Sequence, residues 1–156
     1  AKFLTENGAD VNARDERGFT PVFGKDNPNI VSMLLEKGAQ VNLKGIYDYT
    51  PLHLANEPKI ARMLIMKGAD VNAVTDEGLT PLHLAGSAEL VRLLVENGAN
   101  VNYANKDGMT PLFGAQNIEI AQFLIEKGAQ RNVVSNEGFT PLFLSAARFL
   151  RPLIIL

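Results

Sequence analysis

Residues 80–109 read TPLHLAGSAELVRLLVENGANVNYANKDGM, and the punctuation of this stretch decides the fold. Thr80 can cap a helix, and Pro81 at the first helical position gives up no intrahelical bond. About one turn follows before Gly86-Ser87 breaks it. A second helix is expected over Ala88–Asn97, because Leu90, Val91, Leu93, Leu94 and Val95 recur at helical spacing. Gly98 supplies the left-handed residue that ends this helix, and Gly108 suits a tight turn with positive φ. Two such short helices cannot bury their own apolar stripe. The stripe must meet another copy of itself.

The copies are present. Thr-Pro occurs at Thr20-Pro21, Thr50-Pro51, Thr80-Pro81, Thr110-Pro111 and Thr140-Pro141, always 30 residues apart. Gly8, Gly38, Gly68, Gly98 and Gly128 form a second column, Asn12, Asn42, Asn72, Asn102 and Asn132 a third, and Leu4, Leu34, Leu64, Leu94 and Leu124 a fourth. Unbroken columns in fixed phase mark a tandem repeat, a one-dimensional stack stabilised between nearest neighbours. Asp26 and Asn56, each two residues before Pro28 and Pro58, are expected to cap the second helices of the earlier units. Asp48 replaces the tip glycine once and tolerates its conformation better than most residues.

The stretches GADVNARDERGFTP, GADVNAVTDEGLTPLHLA and GANVNYANKDGMTPL resemble ankyrin repeats, and the resemblance covers nearly the whole chain. It implies an all-α solenoid of helix-turn-helix units joined by β-hairpin-like loops. It also implies a protein–protein interaction module whose loop tips and concave face bind a partner. The family's usual unit has about 33 residues, whereas these have 30. Aligned on TPLHLA and GA, the missing residues fall between the helices, so the first helix should be short and its turn reduced. The division is one domain over 1–156: a half unit 1–19, full units 20–49, 50–79, 80–109 and 110–139, and a half unit 140–156.

Composition narrows the function. With 156 residues, 46 % of them hydrophobic and 21 % charged, the chain has room for one sizeable core. Fifteen basic residues against 17 acidic give a net charge of −2, which argues against a nucleic-acid partner. No apolar run approaches the roughly 20 residues of a membrane helix, so no membrane insertion is expected. The absence of cysteine removes disulfide frameworks and thiol chemistry. No Gly-rich phosphate loop, catalytic carboxylate pair or Ser-His-Asp arrangement is present, so no enzyme and no cofactor is expected. A cytoplasmic location is the expectation.

The two histidines, His53 and His83, sit in one slot a repeat apart, and Phe23, Phe113 and Phe143 fill it elsewhere. Stacked helices lie about 8–10 Å apart, too far for two ligands each about 2 Å from one metal. The slot therefore reads as scaffold, and the resemblance implies a histidine that bonds nearby backbone to brace the loop. His53-Leu54 and His83-Leu84 alternate with Phe23-Gly24 and Phe113-Gly114, as volume matching in a tight layer would do. The asparagine column reads as a tie between adjacent loops, since an amide offers two donors and an acceptor. Acidic pairs such as Asp76-Glu77 at the tips read as solvated charge.

Partner-binding residues are sought where the variable columns depart from polar. Phe19, Tyr49, Leu79, Met109 and Phe139 follow the tip position in register, and they would form a ladder along the concave side. Aromatic and Met side chains are enriched in interface cores; ordinary core is the competing reading. Gly45-Ile46-Tyr47-Asp48-Tyr49 is the most individual tip, and Ile46, Tyr47 and Tyr49 are hot-spot candidates. At the far end Phe149, Pro152 and Leu156 replace polar columns such as Asn29, Ser32 and Glu36, which suggests self-association or a following segment. The chain opens at Ala1 without Met, and both ends are half units, so it reads as a piece of something longer. Alternatives to a free-standing module are a targeting or regulatory segment of a larger enzyme or channel, and a spacer that binds nothing.

Overall fold

The structure, a computed structural model, describes residues 8–24 and 26–142. The carboxyl-terminal residues singled out above, Phe149, Pro152 and Leu156, lie outside that range, as do Leu4 and Phe143. Every element among the described residues is helical or a turn. Four nine-residue helices recur in phase: α1 (Pro28–Glu36), α2 (Pro58–Met66), α4 (Ala88–Glu96) and α5 (Ile118–Glu126). Before each of the last three comes a single turn: 3₁₀ at Pro51–Leu54, α3 at Pro81–Leu84, and 3₁₀ at Pro111–Gly114. Residues 21–24 form only a turn. The shortened first helix and clipped connection follow from the 30-residue period.

Nine residues make a marginal helix in water, so these helices owe their stability to packing. The packed face is the one the repeat columns marked. Leu34, Leu64, Leu94 and Leu124 are buried, as are Val31, Ala61 and Val91 beside them. α1 packs on α2, α2 on α4 and α4 on α5, so one continuous core runs the length of the stack. Each helix ends alike. Gly38, Gly68, Gly98 and Gly128 have φ of 87°, 85°, 90° and 92°. The amide after each glycine reaches back to the column leucine, as Ala99 does to the Leu94 carbonyl at 3.0 Å. This is the Schellman closure, which needs a left-handed residue at the glycine.

Two helix starts differ from expectation. The cap of α1 is Asn27, whose side chain accepts from the Asn29 amide, and not Asp26. At α2 the cap position falls on Glu57, which makes no side-chain capping bond, and not on Asn56. Proline occupies the first helical position in both, so the cap must be the residue immediately before it. Ser87 and Asn117 cap α4 and α5 through bonds to the Leu90 and Ile120 amides.

Volume matching is also corrected at Gly24. Its φ of 56° and the open space around its Cα show that backbone conformation, not crowding, calls for glycine there. At Gly114 the crowding is real, because a Cβ would lie 3.1 Å from the His83 carbonyl oxygen.

Candidate functional site

Between each second helix and the next Thr-Pro the chain makes a narrow hairpin. Its base is closed by a pair of residues four apart, such as Thr75 N–H to the Leu79 carbonyl at 3.0 Å. A side chain at the first position also holds the turn. Asp15 Oδ1 accepts from the Arg17 and Phe19 amides, Thr75 Oγ1 from Leu79, Asn105 Oδ1 from Asp107 and Met109, and Ser135 Oγ from Phe139. Neighbouring tips are strung together by one backbone bond per step: Ile46 to Arg17 O, Asp76 to Tyr47 O, Lys106 to Glu77 O and Asn136 to Asp107 O. The spacing between tips is therefore fixed by the main chain.

The asparagine column does what the sequence suggested. Asn72 Nδ2 donates to the Gly98 carbonyl at 2.9 Å while its Oδ1 accepts from the Asn100 amide at 2.8 Å. Asn12, Asn42 and Asn102 repeat the same two-point clamp on the following unit. These residues are committed to the scaffold.

The histidines are committed too. His53 Nδ1 accepts from the Thr50 amide at 3.1 Å and lies 2.8 Å from Thr50 Oγ1, and Nε2 lies 3.0 Å from the Leu79 carbonyl oxygen. An amide only donates and a carbonyl only accepts, so the proton sits on Nε2 and the ring is neutral. His83 makes the same contacts with Thr80 and with the Met109 carbonyl. Burial pushes both histidines below their ordinary value of 6.5, with the bonds to the Leu79 and Met109 carbonyls pulling the other way. A positive charge is disfavoured at both sites.

Phe19, Tyr49, Leu79, Met109 and Phe139 are all half-buried. The inner faces of the first two pack on the slot four residues later. The Phe19 ring lies 4.8 Å from that of Phe23, and the Tyr49 ring meets His53 edge-on at 5.6 Å. Their outer surfaces remain accessible, so the column is neither a bare ladder nor closed core.

The second tip stands apart. Ile46 is 40 % exposed and Tyr47 62 %. Tyr47 and Asp48 both have positive φ, 56° and 61°, a conformation that non-glycine residues adopt at a cost. At Asp48 this is the conformation that Gly18, Gly78, Gly108 and Gly138 adopt at the same position, so Tyr47 is the residue that sets this tip apart. Gly45, at the position of Asp15, Thr75, Asn105 and Ser135, brings no side chain to hold its turn. A Cβ there would fall 2.2 Å from the Phe19 ring. The glycine thus makes room for Phe19, and the turn that follows is left to the backbone.

Tyr47 and Tyr49 form one wall of a cleft of about 290 Å³ whose other wall is Thr75, Asp76, Glu77 and Leu79 of the next tip. Sequence reasoning missed Asp76 and Glu77 here, because it did not place one tip beside the next. The inter-tip backbone bond to the Tyr47 carbonyl is what brings them to the tyrosines. A larger cavity of about 580 Å³, lined by Leu112, Ile118, Ile125 and Leu142, lies on the last described unit.

Among the described residues no group of three His, Asp or Glu could hold a metal ion, and no helix is long and apolar enough to cross a membrane. A family model described as ankyrin repeats, in three copies, matches residues 1–75, 56–135 and 86–150. No curated protein matches the chain.

Proposed function

We propose that this chain, which belongs to the ankyrin-repeat family, is a protein–protein interaction module that takes its partner on the hairpin tips and concave face. Ankyrin repeats are in general interaction modules and typically not catalytic. Here the polar residues with the most regular geometry, the asparagines and histidines, are spent on tying units together. The carrying observation is the second tip, where Ile46 and Tyr47 stand in solvent on a backbone with two consecutive positive φ angles. Unfavourable backbone geometry under exposed aromatic side chains is a pattern of recognition sites, and tyrosine is a frequent hot-spot residue. Tyr49, Leu79, Met109, Phe19 and Phe139 extend the surface along the groove as half-exposed apolar contacts.

The test is a comparison of two chains. The chain is used for affinity capture, and the proteins it retains are measured for affinity to the chain and to its Tyr47→Ser/Tyr49→Ser variant. The double change should weaken binding by about 2 kcal/mol or more, the order of a hot spot. Affinities are measured well below the melting temperatures of both chains, because Tyr49→Ser also removes a contact with His53. Equal affinity under those conditions removes the second tip from the binding surface.

A further inference from the structure

We propose that the cleft between the second and third tips seats the cationic side chain of an arginine- or lysine-bearing segment of the partner, with Tyr47 and Tyr49 supplying ring faces and Asp76 and Glu77 the counter-charge. The proposal rests on the interaction reading above and specifies the chemistry of the partner.

The cleft has the size of one side chain; at about 290 Å³ it is at the low limit of small-molecule sites. Its two walls are held together by the Asp76 N–H bond to the Tyr47 carbonyl at 3.1 Å, so it exists before anything binds. Its acids make no side-chain bond in the scaffold, as is also true of Glu16 and Glu137 but not of Asp15 and Asp48, and here they share a cleft with two tyrosines. Asp15 holds its own turn through two amide bonds. Asp48 is paired with Lys44 at 2.8 Å. In the third hairpin that turn-holding work falls to Thr75 Oγ1, which leaves the Asp76 and Glu77 carboxylates exposed and without an ion pair among the described residues. The neighbouring cations do not neutralise them: Lys44 is committed to Asp48, and Lys106 makes no ion pair among the described residues.

Charge complementarity then selects the occupant. An apolar side chain would bury the rings but strip water from two carboxylates with nothing in return. An anionic one would be repelled. A guanidinium or ammonium satisfies both walls, stacking on tyrosine while it meets carboxylate.

The first probe is a blocked hexapeptide, Gly-Ser-Arg-Arg-Ser-Gly, titrated to millimolar concentration into the ¹⁵N-labelled chain. The amides of Tyr47, Tyr49, Asp76 and Leu79 should shift and saturate. They should not shift with the citrulline version of the peptide, or in the Asp76→Asn/Glu77→Gln variant. Equal shifts with citrulline, or none at these amides with arginine, overturn the proposal. The second measurement uses a partner captured in the preceding test. Asp76→Asn/Glu77→Gln should weaken it about tenfold at low salt and flatten its salt dependence. If Tyr47→Ser/Tyr49→Ser abolishes binding while the charge variant binds normally at every salt concentration, the cationic occupant is wrong and the interaction module stands. If neither variant changes affinity, both readings fall.

Discussion

The unit that begins at Thr80 and the unit that begins at Thr110 differ at one decisive position, and the difference shows how much of the stack is held by polar chemistry rather than by shape. In the first, His83 joins Thr80 to the Met109 carbonyl of the next hairpin. In the second, Phe113 fills the same space, and the Thr110 hydroxyl is buried without a hydrogen-bond partner. Thr20, which precedes Phe23, is in the same condition. All four Thr-Pro threonines from Thr20 to Thr110 are buried, so no difference in solvent access explains it. A ring fills the slot in both chemistries, but only the histidine makes a hydrogen bond from it to the next hairpin. The middle of the solenoid therefore carries an extra polar tie through this slot, whereas the units on either side are joined by the asparagine clamps and tip bonds alone.

The largest break in this comparison is His83→Phe. It should leave the Thr80 amide and hydroxyl without their acceptor and lower stability by about 2 kcal/mol. Chemical denaturation measures the loss, and hydrogen exchange at the Thr80 amide locates it. The reverse change, Phe113→His, offers Thr110 an acceptor and should raise stability by about 1 kcal/mol. A melting temperature unchanged or lowered by Phe113→His would mean that Phe113 contributes packing that a histidine cannot replace.

The smallest effect is that of pH. Burial holds both histidines below 6.5, so between the folded value and 6.5 the unfolded chain binds more protons than the folded one. The stabilisation is complete above 6.5 and shrinks as pH falls. Stability should drop as pH falls through 6.5 and below in the chain, and drop less in His53→Phe/His83→Phe. Identical pH profiles would show that protonation does not reach the histidine ties.

What the sequence makes legible is whatever repeats. The period, the helix-ending glycines, the asparagine clamps and the histidine scaffold each occupy a column, and a column is visible as soon as the chain is laid over itself. The helix caps at Asn27 and Glu57 were misplaced by one residue, because proline fixes the boundary more tightly than the preference of an acidic or amide side chain does. Gly24 was misread because a missing side chain looks the same whether space or φ demands it. The cleft was not legible at all. Tyr47 and Asp76 are neighbours only because a backbone bond joins two tips, and main-chain bonds carry no side-chain signature. The orphaned hydroxyls of Thr20 and Thr110 were implicit in the Phe-for-His exchange, but seeing them needed the bond that His53 makes to Thr50.

The clamps have a consequence for how such a chain can be edited. Asn12, Asn42, Asn72 and Asn102 each bond a carbonyl 26 residues ahead and an amide 28 ahead, and every tip bonds its neighbour at one constant offset. Excising residues 80–109 would join Leu79 to Thr110 and present Asn72 with Gly128 and Gln130 where Gly98 and Asn100 had been. Both are backbone partners, so side-chain identity at the new junction is immaterial to the clamp. A whole period can be copied or deleted with each cross-unit bond remade by a different residue, whereas the loss of one residue inside a loop would throw its clamp out of phase. The molecule is written in words of fixed length, and its grammar tolerates changes of sentence length far better than misspelling.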